Sequence, residues 1–265
     1  MAFFDPTPEP DVSDIGTDDT PRETPATRGG ALFGIKGANL TSALTLVFVR
    51  HGVTDSTLTH QLSGSTKPGP HLNAIGRAQA ERAAEAVARI GHDRWERVPP
   101  VSRVIASPMN RTQDTGGAIA ERLGLELETD ARLKEIDFGA WEGLTGHEIA
   151  ERYGDAIHRW RFGEIEAPGG ESIPDAGARV DGLVRELARE HAARCAEGDD
   201  AHRAYVLASH AVAIKSCIGL STRMDTRAWG SLWPQPASVT IMELRIAKDG
   251  EIAERHLLCF GETTH

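Results

Sequence analysis

A chain of 265 residues, 40% of them hydrophobic, carries enough apolar material for one large domain with a real core. Its formal net charge of -10 and pI near 5.6 argue against a general nucleic-acid or acidic-membrane surface, while a small anionic ligand in a local basic pocket stays open. Cys195, Cys217 and Cys259 are odd in number and lack C-x-x-C spacing, so they suggest neither a disulfide framework nor a zinc site and suit reduced thiols in a cytoplasmic protein.

Residues 1–40 are rich in Asp, Glu, Pro, Thr and Gly with isolated apolar residues, too few to offset the entropy of ordering the backbone. A disordered acidic tail is expected there, with Phe3 and Phe4 tolerated at a loose terminus. Its acidic start is unlike a signal peptide, and no apolar run approaches the ~18 residues of a membrane span. The expectation is a cytoplasmic protein with no membrane partner.

Residues 41–265 are expected to form one domain. Leu44–Val49 is a strand run, and Leu72–Gly91 is an alanine-rich helix with apolar recurrence at Ile75, Ala78, Ala83, Val87 and Ile90, capped by Asn73. Val101–Ser107 is a second strand, Met109–Leu123 a helix after Pro108, and "LELET" a short third strand. Ser172 and Asp175 have the S-x-x-D spacing of a helix start, and Ile173, Ala176, Val180, Leu183 and Leu187 form one apolar face behind it. Ala204–His210 is another strand feeding a helix, and "SVTIMELRI" and "EIAERHLLCF" flank "KDG" as a terminal hairpin. Alternating strands and helices imply a three-layer α/β/α sandwich on a mainly parallel sheet, the hairpin adding an antiparallel edge.

Ligands of such folds bind beyond the carboxyl ends of the strands. Arg50 and His51 follow the first strand, Ser107 and then Arg111 the second, and Ser209 and His210 the one near residue 206. Two arginines match the oxygen geometry of a phosphate, and a neutral imidazole can attack phosphorus. His51 is the expected nucleophile, because Gly52 beside it lets the backbone approach a ligand closely, and His210 is expected to hydrogen-bond the phosphoryl oxygens. Cleaving a phosphomonoester also needs a proton donor for the leaving alkoxide. Glu135, Asp137 and Glu142 in "LKEIDFGAWEGLT" are the candidates, and spacing does not choose among them.

The blocks "RHGVT", "ASPMNRTQDT", "LKEIDFGAWEG", "PGGES" and "ASHAVAIK", in this order, resemble the histidine phosphatase superfamily, in the branch shared with phosphoglycerate mutase. The resemblance spans about residues 44–260. It implies a phosphoglycerate mutase-like fold, His51 as the phosphohistidine nucleophile, His210 as second histidine and Glu135 as proton donor. Arg50, Arg111, Thr57, Gly64 and Ala211 would contact the substrate phosphate. It also implies chemistry without a metal or other cofactor. Thr57 departs from the family's usual asparagine, Ala211 from the usual glycine, and Val53 from the usual Glu or Gln. The blocks are most similar to bacterial phosphatases, so hydrolysis of a small phosphomonoester is the expected activity; phosphoglycerate mutase and a non-catalytic phosphate-binding module are the alternatives. Trp160, Trp229 and Trp233 offer apolar surfaces for pocket walls or for core packing alike. The expected partner is a small molecule, for a monomer or a homodimer.

Overall fold

A computed structural model describes residues 39–264; all but Asn39 and Leu40 of the expected tail lies outside the described residues. Six strands form one sheet: β1 (Leu44–Arg50), β2 (Val101–Ala106), β3 (Leu127–Thr129), β4 (Arg203–Ser209), β5 (Val239–Ile246) and β6 (Ile252–Glu262). Their order is β3-β2-β4-β1-β5-β6. β3, β2, β4 and β1 are mutually parallel, and β5 joins β1 in antiparallel fashion and turns back through a hairpin into β6.

The central strands are apolar on both faces, as a sheet covered by helices on each side requires. Along β1 the period of two sends Leu44, Leu46 and Phe48 into one core and Val47 and Val49 into the other. β4 divides alike, with Tyr205 and Leu207 against Ala204 and Val206. Each fully buried Val, Leu or Phe among them contributes about 1.5–3 kcal/mol. On the first face lie α6 (Ile173–Ala196) and α7 (Ala211–Ser221); on the second lie α2 (Ala74–Ala88) and α3 (Asn110–Leu123). The three-layer sandwich expected from the alternation is therefore the architecture found.

Ile75, expected on the buried face of α2, is 54% exposed. Gly76 faces the protein in its place, because the helix start presses onto the loop after β1: a Cβ on Gly76 would lie 2.0 Å from the Val53 carbonyl oxygen. The short helices α1 (Asp55–Leu58), α4 (Gly146–Tyr153) and α5 (Ala156–Arg161) sit outside the alternating pattern. Residues of α4, α5 and the segment before them build a third core of Ile136, Phe138, Trp141, Ile149 and Trp160. Among the described residues no helix is long and apolar enough to cross a membrane.

Candidate active site

β1 and β4 pair in parallel with Arg50 opposite Ser209, so the next residue of each, His51 and His210, leaves the same sheet edge side by side. The His51 N–H donates to the Ser209 carbonyl at 3.0 Å, and the two rings stand 5.2 Å apart, tilted by 60°. β2 ends at Ala106, opposite Ala208, and turns through Ser107 into α3, whose first turn carries Arg111. Arg50, His51 and Arg111 from these strand ends line a cavity of about 410 Å³ together with Ala211 and Val212, while His210 is fully buried beside His51 and is not one of its lining residues.

The Nδ1 of His51 lies 2.7 Å from the Gly52 carbonyl oxygen. A carbonyl can accept but not donate, so Nδ1 carries the proton and the neutral ring keeps a lone pair on Nε2. Burial, then Arg111 and Arg50, hold this imidazole well below its ordinary pKa of 6.5, against a small opposing effect of the Gly52 bond. His210 is held well below 6.5 by burial first and then by Arg111, His51 and Arg50. Its Nε2 lies 2.9 Å from Ser107 Oγ, while Nδ1 is buried without a partner among the described residues.

These two rings predict acid sensitivity. A histidine kept neutral in the fold but free to charge when unfolded binds more protons in the unfolded state below pH 6.5. Its contribution is complete above that value and is lost as pH falls, at up to about 1.4 kcal/mol per pH unit for each ring. Urea midpoints measured from pH 7.5 to 5.5 should fall below about pH 6.5, ahead of the carboxylate range. A flat profile there would contradict the buried neutral pair.

Arg50 donates from Nη1 to the Pro234 carbonyl at 2.8 Å and lies 5.8 Å from the Trp233 ring centre. Burial brings its pKa down to about 10, against the pull of Glu135, and Arg111 adds to the fall. Arg111, 1% exposed, is anchored through Nη2 to the carbonyls of Ser63 (2.9 Å) and Gly64 (3.3 Å). Burial lowers its pKa too, with Glu135 and Glu142 opposing. Inside an acidic protein, a pair of buried guanidinium groups therefore faces one small cavity.

The structure separates the three carboxylates that spacing left equal. Glu135 lines the cavity, and its carboxylate accepts from the N–H groups of Ile136 (3.0 Å), Ala213 (3.1 Å) and Val212 (3.2 Å), the last two in the first turn of α7. Asp137 closes a turn by accepting from the Gly139 N–H at 2.8 Å. Glu142 accepts from the Gly64 N–H, also at 2.8 Å, so that glycine is committed to loop packing behind Arg111 and does not line the cavity. Thr57 and Ala211 do line it; the Thr57 hydroxyl sits 3.1 Å from that of Thr54 in the capping box of α1. Of the three tryptophans, Trp160 and Trp233 line the cavity, whereas Trp229 is core and donates its N–H to the Met224 carbonyl.

Gly52 has a different reason from the one expected. A Cβ there would lie 2.5 Å from the carbonyl oxygen of Gly76, so the glycine admits the start of α2 rather than a ligand. Gly52→Ala should cost about 1–3 kcal/mol through overpacking and push His51 off its position. Thermal melting and turnover, measured together, should both fall.

Lys215, on α7, escaped the sequence reading except as part of a motif. It is 1% exposed, with its ammonium 5.7 Å from the ring centre of Trp160 and 5.5 Å from that of Trp233. A lone lysine within the apolar run "AVAIKSCIG" is the signal that marks it. No three His, Cys, Asp or Glu side chains among the described residues group to hold a metal ion.

The histidine phosphatase superfamily (branch 1) model matches residues 46–254. A bifunctional protein of Mycobacterium tuberculosis is 38% identical over 164 residues, 62% of this chain but 42% of that protein, so the chain spans less than half the length of this curated relative. Glucosyl-3-phosphoglycerate phosphatase of the same species is 32% identical over 191 residues, 72% of this chain and 80% of that enzyme. The solved structure of the mycobacterial glucosyl-3-phosphoglycerate phosphatase superposes with a TM-score of 0.71 at 28% identity, covering 83% of this chain and all of that one. With two histidines and two arginines gathered at three strand ends, and a family match over most of its length, the chain belongs to the histidine phosphatase superfamily, branch 1.

Proposed function

We propose that the chain is a phosphomonoesterase that hydrolyses small phosphorylated metabolites through a phosphohistidine, using its own side chains and no metal. The observation that carries this is the His51 ring, neutral, with Nδ1 tied to the Gly52 carbonyl and Nε2 free beside two buried arginines. The substrate phosphate enters against Arg50 and Arg111, whose guanidinium groups both line the cavity, with the buried Glu135 acting on each. The Nε2 lone pair forms the N–P bond as the bond from phosphorus to the alkoxide breaks, and Glu135 supplies the proton that the alkoxide takes up. His210 donates to a phosphoryl oxygen. A water then attacks phosphorus, gives its proton to Glu135, and displaces His51 to release inorganic phosphate.

The names of similar proteins support a phosphatase: glucosyl-3-phosphoglycerate phosphatase, and phosphoserine phosphatase 1 of Hydrogenobacter thermophilus at 26% identity over 201 residues. A phosphoglycerate mutase of Chelativorans, 36% identical over 141 residues, covers 51% of this chain and is the competing activity. Acid quench within milliseconds of mixing with 32P-labelled substrate should trap acid-labile label on His51. Label on a serine, or none during turnover, would overturn the scheme. A 3-phosphoglycerate mutase assay run beside phosphate release separates the two activities.

A further inference from the structure

The helix that carries Val212 and Ala213 to Glu135 runs on for roughly 15 Å and ends at a second cavity, of about 470 Å³. This cavity shares no lining residue with the first. Its walls are α6, the carboxyl end of α7 and the start of β6, and they bring together Arg185, Arg223 and Arg255. The carboxylate among them is Asp181, 6% exposed, which forms an ion pair with Arg255 and accepts from Arg185 Nε at 2.7 Å. Glu254 also lines the cavity, but the strand register turns its side chain away. It stands opposite Arg245 in the ladder of β5 and β6, whereas the neighbouring pair, Leu244 and Arg255, faces α6 and α7, with Leu244 in their core. The Glu254 carboxylate instead lies 3.1 Å from His256 Nε2. Glu251 reaches Arg185 only at 3.8 Å and is closer to Arg189, at 3.3 Å. Three guanidinium groups thus meet one carboxylate in this cavity, in a protein whose net charge is -10.

Two details of the backbone favour these cations. A bulge in the ladder between Arg245 and Ile246 lets Ile252 and Arg255 both face the helices, although a spacing of three would otherwise send them to opposite faces. Arg223 follows α7 with a φ of 55°, the left-handed position that ends helices and that glycine fills without strain. An arginine there is unfavourable for the fold, and it lines the cavity. The end of a helix would repel an anion through its free carbonyls, but those of Ile218, Gly219 and Leu220 are capped by the N–H groups of Thr222, Met224 and Arg223. We infer that this cavity is a second binding site, for a small phosphate-bearing anion held by Arg185, Arg223 and Arg255. Guanidinium forks suit phosphoryl oxygens, and a cavity of this size takes a second phosphoryl group or an organic part beside the first. The anion binds whether or not the first cavity hydrolyses phosphomonoesters.

Inorganic pyrophosphate is the probe, titrated calorimetrically into the His51→Ala protein at about 150 mM NaCl, where turnover does not intervene and diffuse attraction is screened. A pyrophosphate site is expected that Arg223→Gly weakens by roughly 10–100-fold in Kd, the factor for losing a charged hydrogen-bond donor. Tm should hold or rise in that variant, because glycine suits the left-handed backbone. Arg185→Gln, a change at a half-exposed side chain of α6, should weaken the same site. Any binding in the first cavity should be unchanged by both. Pyrophosphate binding that neither substitution alters, or that is absent at this salt, would overturn the inference and leave the arginines as partners of Asp181 alone. Loss of turnover in the unaltered protein would count against the phosphatase reading without touching this result.

Discussion

His51→Ala should lower kcat/KM for any phosphomonoester by about 10⁴-fold or more, the loss expected when a covalent nucleophile is removed and only binding and charge stabilisation remain. The substitution leaves β1 intact up to Arg50, and the arginine anchors to Pro234, Ser63 and Gly64 do not involve the imidazole. Phosphate binding should therefore survive, and with it a direct control: inorganic phosphate protects the variant against thermal unfolding as it protects the unaltered protein. Substantial remaining turnover in a variant that still binds phosphate would mean that water, and not His51, attacks phosphorus.

Glu135→Gln should cost roughly 10²–10⁴ in kcat/KM on an alkyl phosphate, the range for removing a positioned acid. The loss should depend on the leaving group. p-Nitrophenolate departs without a proton, so phosphorylation of His51 by p-nitrophenyl phosphate should be nearly spared, whereas attack of water still lacks its base. Rapid mixing should then show a burst of nitrophenolate followed by slow turnover. The glutamine can keep two of the three backbone bonds, since Oε1 of Glu135 serves both Ile136 and Ala213; the bond from Val212 to Oε2 is the one lost. A fall of about 1–3 kcal/mol in stability is the accompanying cost. Equal losses on both substrates, with no burst, would assign Glu135 to holding the start of α7 and not to proton transfer.

Much of this was legible in the sequence because the sheet speaks in a local code. Leu44–Val49 announces a strand by its composition, and the rule that parallel strands deliver ligand groups at their carboxyl ends ties Arg50, His51, Arg111 and His210 to one rim. The carboxylates were not separable that way. Glu135, Asp137 and Glu142 share one irregular segment without a period, and their tasks depend on distant partners: α7 for the first, Gly64 for the last. Ile75 misled for a related reason, since its exposure follows from how tightly Gly76 meets Val53, a contact between elements and not within one. Trp160 and Trp233 differ from Trp229 only in tertiary placement. Lys215 carried only a weak local signal, a single cation within an apolar run.

The strand order has a consequence for how the protein comes into being. β1 is the first of the described strands, yet its two neighbours in the sheet, β4 and β5, are both encoded in the last third of the chain. While the ribosome is still at work, "LTLVFVR" has no partner on either edge, although every one of its residues is buried in the finished sheet. Such a segment is a template for wrong pairing, and closing the long loop that joins it to β4 is slow. His51 therefore follows a strand that stays unpaired until β4 and β5 are made. Holdase chaperones that shield this segment should raise the yield of active enzyme more than of chain, and activity itself reports that the last strands have docked.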